Sequence, residues 1–177
     1  MGIQIGARPD SGFDDPIGML MDCHRRIEHF LNILCFVVER AHGRALLEDE
    51  TAAVQAALQY FRTGGKRHNA DEEESLFPRL RSVLKGGPFE EISSLEEDHR
   101  AAGGLHAKVE TLYDKWIAAG SLDGDAHLRL SSSSQSLKSL YADHIRIEER
   151  VVFPRAAETL DSAAIQAIGQ EFRDRRQ

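Results

Sequence analysis

His144-Ile145-Arg146-Ile147-Glu148-Glu149-Arg150-Val151-Val152-Phe153-Pro154-Arg155 repeats, 76 residues on, the pattern of His68-Asn69-Ala70-Asp71-Glu72-Glu73-Glu74-Ser75-Leu76-Phe77-Pro78-Arg79. In both stretches Glu follows the His at four and five residues, Phe at nine, Pro at ten and Arg at eleven. Residues four apart on a helix sit one above the other on the same face. Each stretch therefore projects one imidazole and one carboxylate in one direction. Two such helices face to face would enclose two His and two Glu. His24-Arg25 and His99-Arg100, 75 residues apart, complete the repeat. The chain reads as a helix pair used twice, each half supplying a lone His and then a His-x-x-x-Glu. A period of this kind fixes the architecture.

Around these landmarks the apolar residues recur at helical spacing. Asp14-Asp15-Pro16 reads as a helix start, an acidic N-cap with Pro at the first helical position. The first helix is expected from Pro16 to His42, with Leu20, Ile27, Leu31, Leu34, Cys35 and Val38 as its stripe. His24 and Glu28 fall in that stripe. The second is expected from about Glu50 to Leu84, interrupted at Gly64-Gly65 and kinked at Phe77-Pro78. Lys85-Gly86-Gly87-Pro88 reads as a turn. The third spans Phe89 to Ala119, with His99, His106 and Tyr113 on one face. The fourth spans Ala126 to Thr159, with Tyr141, His144 and Glu148 in its stripe. Asp161-Ser162 caps a short last helix whose Arg173, Arg175 and Arg176 suit a helix C-terminus. The expected fold is all-α: an up-down-up-down four-helix bundle. Residues 1–13 read as a flexible tail, 14–160 as the bundle, and 161–177 as a helix packed on it or extending it.

The 177 residues suffice for one domain with a real core. No apolar run approaches the roughly 20 residues of a membrane span. A net charge of −7, with no basic stripe, argues against nucleic acid. Residues Met1 to Asp15 lack the basic-then-apolar order of a signal peptide, so a cytoplasmic location is expected. Cys23 and Cys35 stand too far apart on one helix to bridge and read as buried small hydrophobes.

His24, His68, Glu72, His99, His144 and Glu148 make a donor set for two metal ions. Imidazole with carboxylate suits iron, manganese or zinc. If each Glu bridges, each ion has two imidazoles and two carboxylate oxygens, and a bridging oxide or hydroxide still leaves one octahedral position open. Four buried imidazoles and two buried carboxylates without a metal would be costly.

With the motifs His68-x-x-x-Glu72 plus Leu76-Phe77-Pro78, and His144-x-x-x-Glu148 plus Phe153-Pro154, residues 14 to 160 resemble the hemerythrin-like family, the HHE cation-binding domains. The resemblance implies an oxo-bridged, non-haem di-iron centre. His24 and His68 would serve one iron, His99 and His144 the other, with Glu72 and Glu148 bridging. It further implies a small ligand, O2, NO or peroxide, bound for sensing, storage or stress response, in a monomer or homodimer. The alternatives are a redox enzyme acting on peroxide or NO, and an iron donor for repair of iron centres. Oxygen-carrying hemerythrins have a fifth His one turn after the third-helix ligand, where this chain has Gly103. Their last carboxylate is an Asp five residues after the fourth-helix His, where this chain has Glu148, four after.

Further residues are candidates for a pocket or for support of the ligands. Gly64 and Gly103, each a turn from a ligand His, leave space beside it or mark close helix packing. Glu28 reads as a partner of His24, as a third carboxylate ligand, or as solvated. His106 reads as a core histidine or as support for a ligand, and Tyr141 and Tyr113 as core aromatics or as cavity wall. Glu73 and Glu149 are expected to face water, and His29, His42 and His127 to lie on the surface.

Overall fold

The computed structural model describes residues 10–84 and 89–177. The turn expected at residues 85–88, and residues 1–9 of the expected tail, lie outside them. Among the described residues there is no strand. The first rod of the bundle is α1 (Pro16–Ala41). The second is built from α2 (Glu48–Tyr60), α3 (Lys66–Ala70) and α4 (Phe77–Val83), joined by wide π turns at Phe61–Gly65 and Asp71–Leu76. The third is α5 (Phe89–Ala119). The fourth is α6 (Gly124–Ile147) followed by a π turn at Glu148–Val152 and α7 (Phe153–Thr159). Rod one packs on rods two and four, and rod three on rod four. The short α8 (Ser162–Asp174) packs on the Asp71–Leu76 turn and on α1.

The helix ends follow from side chains that take up free backbone N–H groups. Asp15, Asp123 and Asp161 accept from the N–H groups of Gly18, Ala126 and Ala164 at 3.0, 2.8 and 2.8 Å, each cap worth about 1 kcal/mol. The Asp123 cap starts the fourth rod at Gly124, two residues before the expected Ala126. The second rod starts at Glu48 because Glu50, held by Arg44, turns back to accept the N–H of Leu47 at 2.9 Å. The first helix stops at Ala41, and His42 takes a left-handed conformation with φ of 46°.

The kink expected at Phe77-Pro78 takes the form of a π turn. Pro has no N–H and crowds the carbonyl one turn back, so it is tolerated in a first helical turn and not in an interior. The π turns end at Leu76 and Val152, which puts Pro78 and Pro154 in the first turn of α4 and α7. Both rods thus pass through their Pro without ending. Gly64-Gly65 falls inside the first π turn.

The stretch expected to be a loose tail is anchored over its described part. Ser11 donates its N–H to Asp22, Asp10 pairs with Arg26, and the Phe13 ring lies under Arg173. Gly169 of α8 lies against the Phe13 carbonyl where a Cβ would not fit. Arg175 and Arg176 do more than follow the helix C-terminus: they grip the fully buried Asp71 at 2.9 and 2.6 Å.

The described apolar core falls in two clusters. One contains Ile27, Phe61, Ala102 and Tyr141; the other contains Leu20, Leu76, Leu95 and Val152. On every rod the change from one cluster to the other occurs at the His or His/Glu positions. A polar layer therefore crosses the middle of the bundle.

Candidate metal centre

The polar layer is made by His24 from α1, His68 from α3, Glu72 from the π turn after it, His99 from α5, His144 from α6, and Glu148 from the last π turn. All are buried; His99, at 7%, is the most exposed of them. Each carboxylate divides its oxygens between two imidazole pairs. Oε1 of Glu72 is 3.4 Å from Nε2 of His68, and its Oε2 is 3.3 Å from Nε2 of His99. Oε2 of Glu148 is 3.1 Å from Nε2 of His24, and its Oε1 is 3.3 Å from Nε2 of His144. Two donor groups result: His24, His68, Glu72 and Glu148; and His99, His144, Glu72 and Glu148. Within each, the donor atoms lie no more than 4.8 Å apart.

The inner donor atoms, Nε2 of the four histidines and both oxygens of Glu72 and Glu148, are buried and form no hydrogen bond. Orphaned polar atoms cost on the order of 1–3 kcal/mol each when nothing else satisfies them. Converging imidazole nitrogens and carboxylate oxygens are the donors that divalent and trivalent transition ions take. The residues fit a pair of such ions.

The second Glu of each motif is exposed to water, as expected, and also reaches back to the outer nitrogen of a lone His. Oε1 of Glu73 is 2.7 Å from Nδ1 of His99, and Oε1 of Glu149 is 2.9 Å from Nδ1 of His24. These bonds make Nδ1 the protonated nitrogen, leaving the Nε2 lone pair directed inward. The motif Phe completes the cradle: Phe153 stacks on His24 at 5.4 Å between centroids, and Phe77 lies parallel to His99 at 6.5 Å. Each twelve-residue motif thus supplies a His, a shared carboxylate, and both the carboxylate and the ring that set the lone His of the other pair. The recurrence of Glu at the fifth position in both stretches was the available signal for this. His144 has Asp98 at 3.4 Å from its Nδ1, whereas Nδ1 of His68 is buried with no partner among the described residues.

In the cation-free protein, burial and then the Glu148 charge push Glu72 well above the ordinary carboxylate range. Burial also opposes the charge on Glu148, but His144 and His24 outweigh it and hold that group well down. Glu72 is thereby pushed towards its protonated form while Glu148 is held ionised. Burial, reinforced by neighbouring imidazoles, lowers His68 far and His99 less far, which keeps both in the neutral form that ligates metal. His144 is raised: burial opposes its charge, and Glu148 with Asp98 overcomes that.

The remaining candidates separate. Glu28 is exposed and makes no approach to the donor groups; the carboxylate beside His24 is Glu149. α1 carries no π turn to bring its Glu inward as the motif rods do. A Cβ on Gly64 would meet the Tyr60 ring at 2.7 Å, so that residue marks close packing, and Gly65 lines the cavity in its place. A Cβ on Gly103 would meet nothing within 4 Å, and Gly103 lines a cavity of about 550 Å³ that reaches His99. His106 and Tyr141 line the same cavity, with Nε2 of His106 3.1 Å from the Tyr141 hydroxyl. Tyr113 is buried core and donates to the Leu34 carbonyl. His127, expected on the surface, is half-buried and bonds the Val38 carbonyl at 2.9 Å. Cys23 and Cys35 are buried free thiols.

A helical bundle with imidazoles and carboxylates converging in a buried central layer defines a cation-binding protein. Residues 15–167 match the Hemerythrin HHE cation binding domain, and the chain belongs to that family. The match extends past the expected residue 160 into α8. A comparison with curated proteins finds no match.

Proposed function

We propose that this protein is a di-iron member of its family that binds a small ligand, O2, NO or peroxide, for sensing, storage or stress response. The observation that carries the reading is the division of Glu72 and Glu148 between two imidazole pairs. His24 and His68 would hold one iron, His99 and His144 the other, and both Glu would bridge. An iron pair would supply an open coordination position and two electrons at one place. The chain's own residues do the rest. Glu73, Glu149 and Asp98 orient three of the imidazoles. The parallel rings of Phe77 and Phe153 cover His99 and His24. The small residues Ala102 and Gly103 leave an approach to the His99 side, with the Tyr141 hydroxyl and His106 on its wall. No described helix is long and apolar enough to cross a membrane.

Metal content and the visible spectrum of the full chain test the reading. Two irons per chain with near-ultraviolet absorption that azide or NO perturbs is the expected result. Zinc alone, or no metal, would overturn it. Glu72→Ala and Glu148→Ala should each lose most of the metal; retention of two metals by either variant would overturn the bridging assignment.

A further inference from the structure

The cavity beside His99 is far larger than the ligand just proposed requires. A diatomic or peroxide occupies a space of one or two waters, each with a share of about 30 Å³ of liquid. The cavity holds about 550 Å³, within the range of roughly 300–1,000 Å³ typical of sites for organic molecules. Its making is local. Gly65 and Gly103 present no side chains, and the π turn at Phe61–Gly65 swings Phe61 to one wall.

The lining has two polar ends and an apolar middle. Leu58, Phe61 and Ala102 supply the middle. At the inner end stand His99, the Tyr141–His106 pair and Asn69, whose side-chain oxygen is buried without a hydrogen bond. At the outer end Arg62 is engaged by Glu110 at 2.7 Å and Asp114 at 3.4 Å. Lys66, also at the outer end, forms no ion pair among the described residues, so its ammonium is the uncompensated charge of the rim. An apolar chamber with a free cation at its mouth suits a molecule with an apolar body and an anionic end.

We propose that this cavity is a binding site for a small organic carboxylate, its carboxylate at Lys66 and its body between Phe61 and Ala102, and is more than a passage for a diatomic. The proposal rests on the di-iron reading only for what meets the ligand at its inner end. In that reading the inner end of the bound molecule would lie beside His99, one of the residues that would hold a metal.

Titration calorimetry on the full, metal-loaded chain tests this with 4-phenylbutyrate as the probe and 4-phenylbutanol as its uncharged counterpart. The expected result is saturable binding of one 4-phenylbutyrate per chain, with 4-phenylbutanol weaker. Gly103→Leu should weaken both probes at least tenfold, about 1.4 kcal/mol, by filling the space. It replaces a helical Gly with a better helix former whose Cβ meets nothing within 4 Å, so the fold is kept. Lys66→Ala should weaken 4-phenylbutyrate several-fold and leave 4-phenylbutanol unchanged. Binding weaker than about 1 mM, worth under roughly 4 kcal/mol, would overturn the proposal. So would full-strength binding to Gly103→Leu, or equal loss of both probes in Lys66→Ala. Azide perturbation of the iron absorption is read in parallel. Its absence alongside tight 4-phenylbutyrate binding would reject the di-iron reading and leave the cavity site standing.

Discussion

Oε1 of Glu73 lies 2.7 Å from Nδ1 of His99, across the interface between the second and third rods. Glu149 stands in the same relation to His24 at 2.9 Å. A carboxylate on the outer nitrogen fixes the tautomer and raises the basicity of the inner one, and losing such a partner typically lowers metal affinity by roughly 10–100-fold. The Glu73 and Glu149 side chains are 40% and 36% exposed, so water competes for the same bond. Glu73→Ala and Glu149→Ala are therefore expected at the lower end, a loss of about tenfold, with the Gln variants in between. Chelator competition on the metal-loaded protein measures it; an unchanged affinity in both Ala variants would remove the orienting role.

The repeat is broken at one outer nitrogen. Asp98 precedes His99 and faces His144, but its counterpart preceding His24 is Cys23, and Nδ1 of His68 has no partner among the described residues. The thiol is instead met by Arg26 at 3.2 Å. On the proposed assignment, an ion held by His24 and His68 would lack one of the supports that the other would have. Metal release into a chelator is expected in two phases, the faster from that position. Asp98→Ala should remove most of the difference by speeding the slow phase several-fold. A single phase in the unmodified protein would show that the two positions are equivalent.

The long rods, the caps at Asp15 and Asp161, and the convergence of the four His and two Glu on one layer were legible in the sequence, the rods and the layer from spacing and the caps from their Asp-Pro and Asp-Ser signals. The 3.6-residue period and the two matching motifs place them without knowledge of neighbours. The roles of Glu73, Glu149 and Asp98 were not legible from one helix, since each acts on a His of a different rod. The π turns were hidden for a different reason. Nothing in Asp71-Glu72-Glu73-Glu74-Ser75-Leu76 disfavours an ordinary helix; only Pro78, read with Pro154 at the same offset, signals that the preceding turn must widen. Gly64 stayed open between pocket and packing because it shares a turn with Gly65, and only the position of the Tyr60 ring decides for packing.

The last helix is bound to the polar layer through Asp71, which precedes Glu72 and is fully buried between Arg175 and Arg176. Removing one side of a buried ion pair leaves an uncompensated charge and typically costs about 3–5 kcal/mol. The double variant Arg175→Ala with Arg176→Ala should be destabilised by about that amount in urea unfolding. Adding Asp71→Asn should restore a substantial part of it, because the stranded charge is then gone. The same double variant is expected to release metal faster, as the π turn carrying Glu72 loses its clamp. A loss under about 1 kcal/mol would class these contacts with surface ion pairs.

His106 makes the cation-free bundle sensitive to acid. Burial takes its imidazole from the ordinary 6.5 down to about 4, with Glu110 opposing only weakly. Between those values the unfolded chain holds a proton that the folded one does not, so stability rises with pH across that window. Above about 6.5 both states are neutral at this residue and the penalty vanishes. As pH falls towards about 4 the penalty grows, and below that it is constant. His68 and His99 are also lowered and add to the same loss, so the contribution of His106 is read as a difference. In His106→Gln, which keeps a polar partner for the Tyr141 hydroxyl without titrating, the fall of the urea midpoint from pH 6.5 to pH 4 should be shallower than in the unmodified protein. Parallel curves for the two proteins across that range would mean that His106 is protonated equally in both states, and that the chamber wall it occupies is open to water.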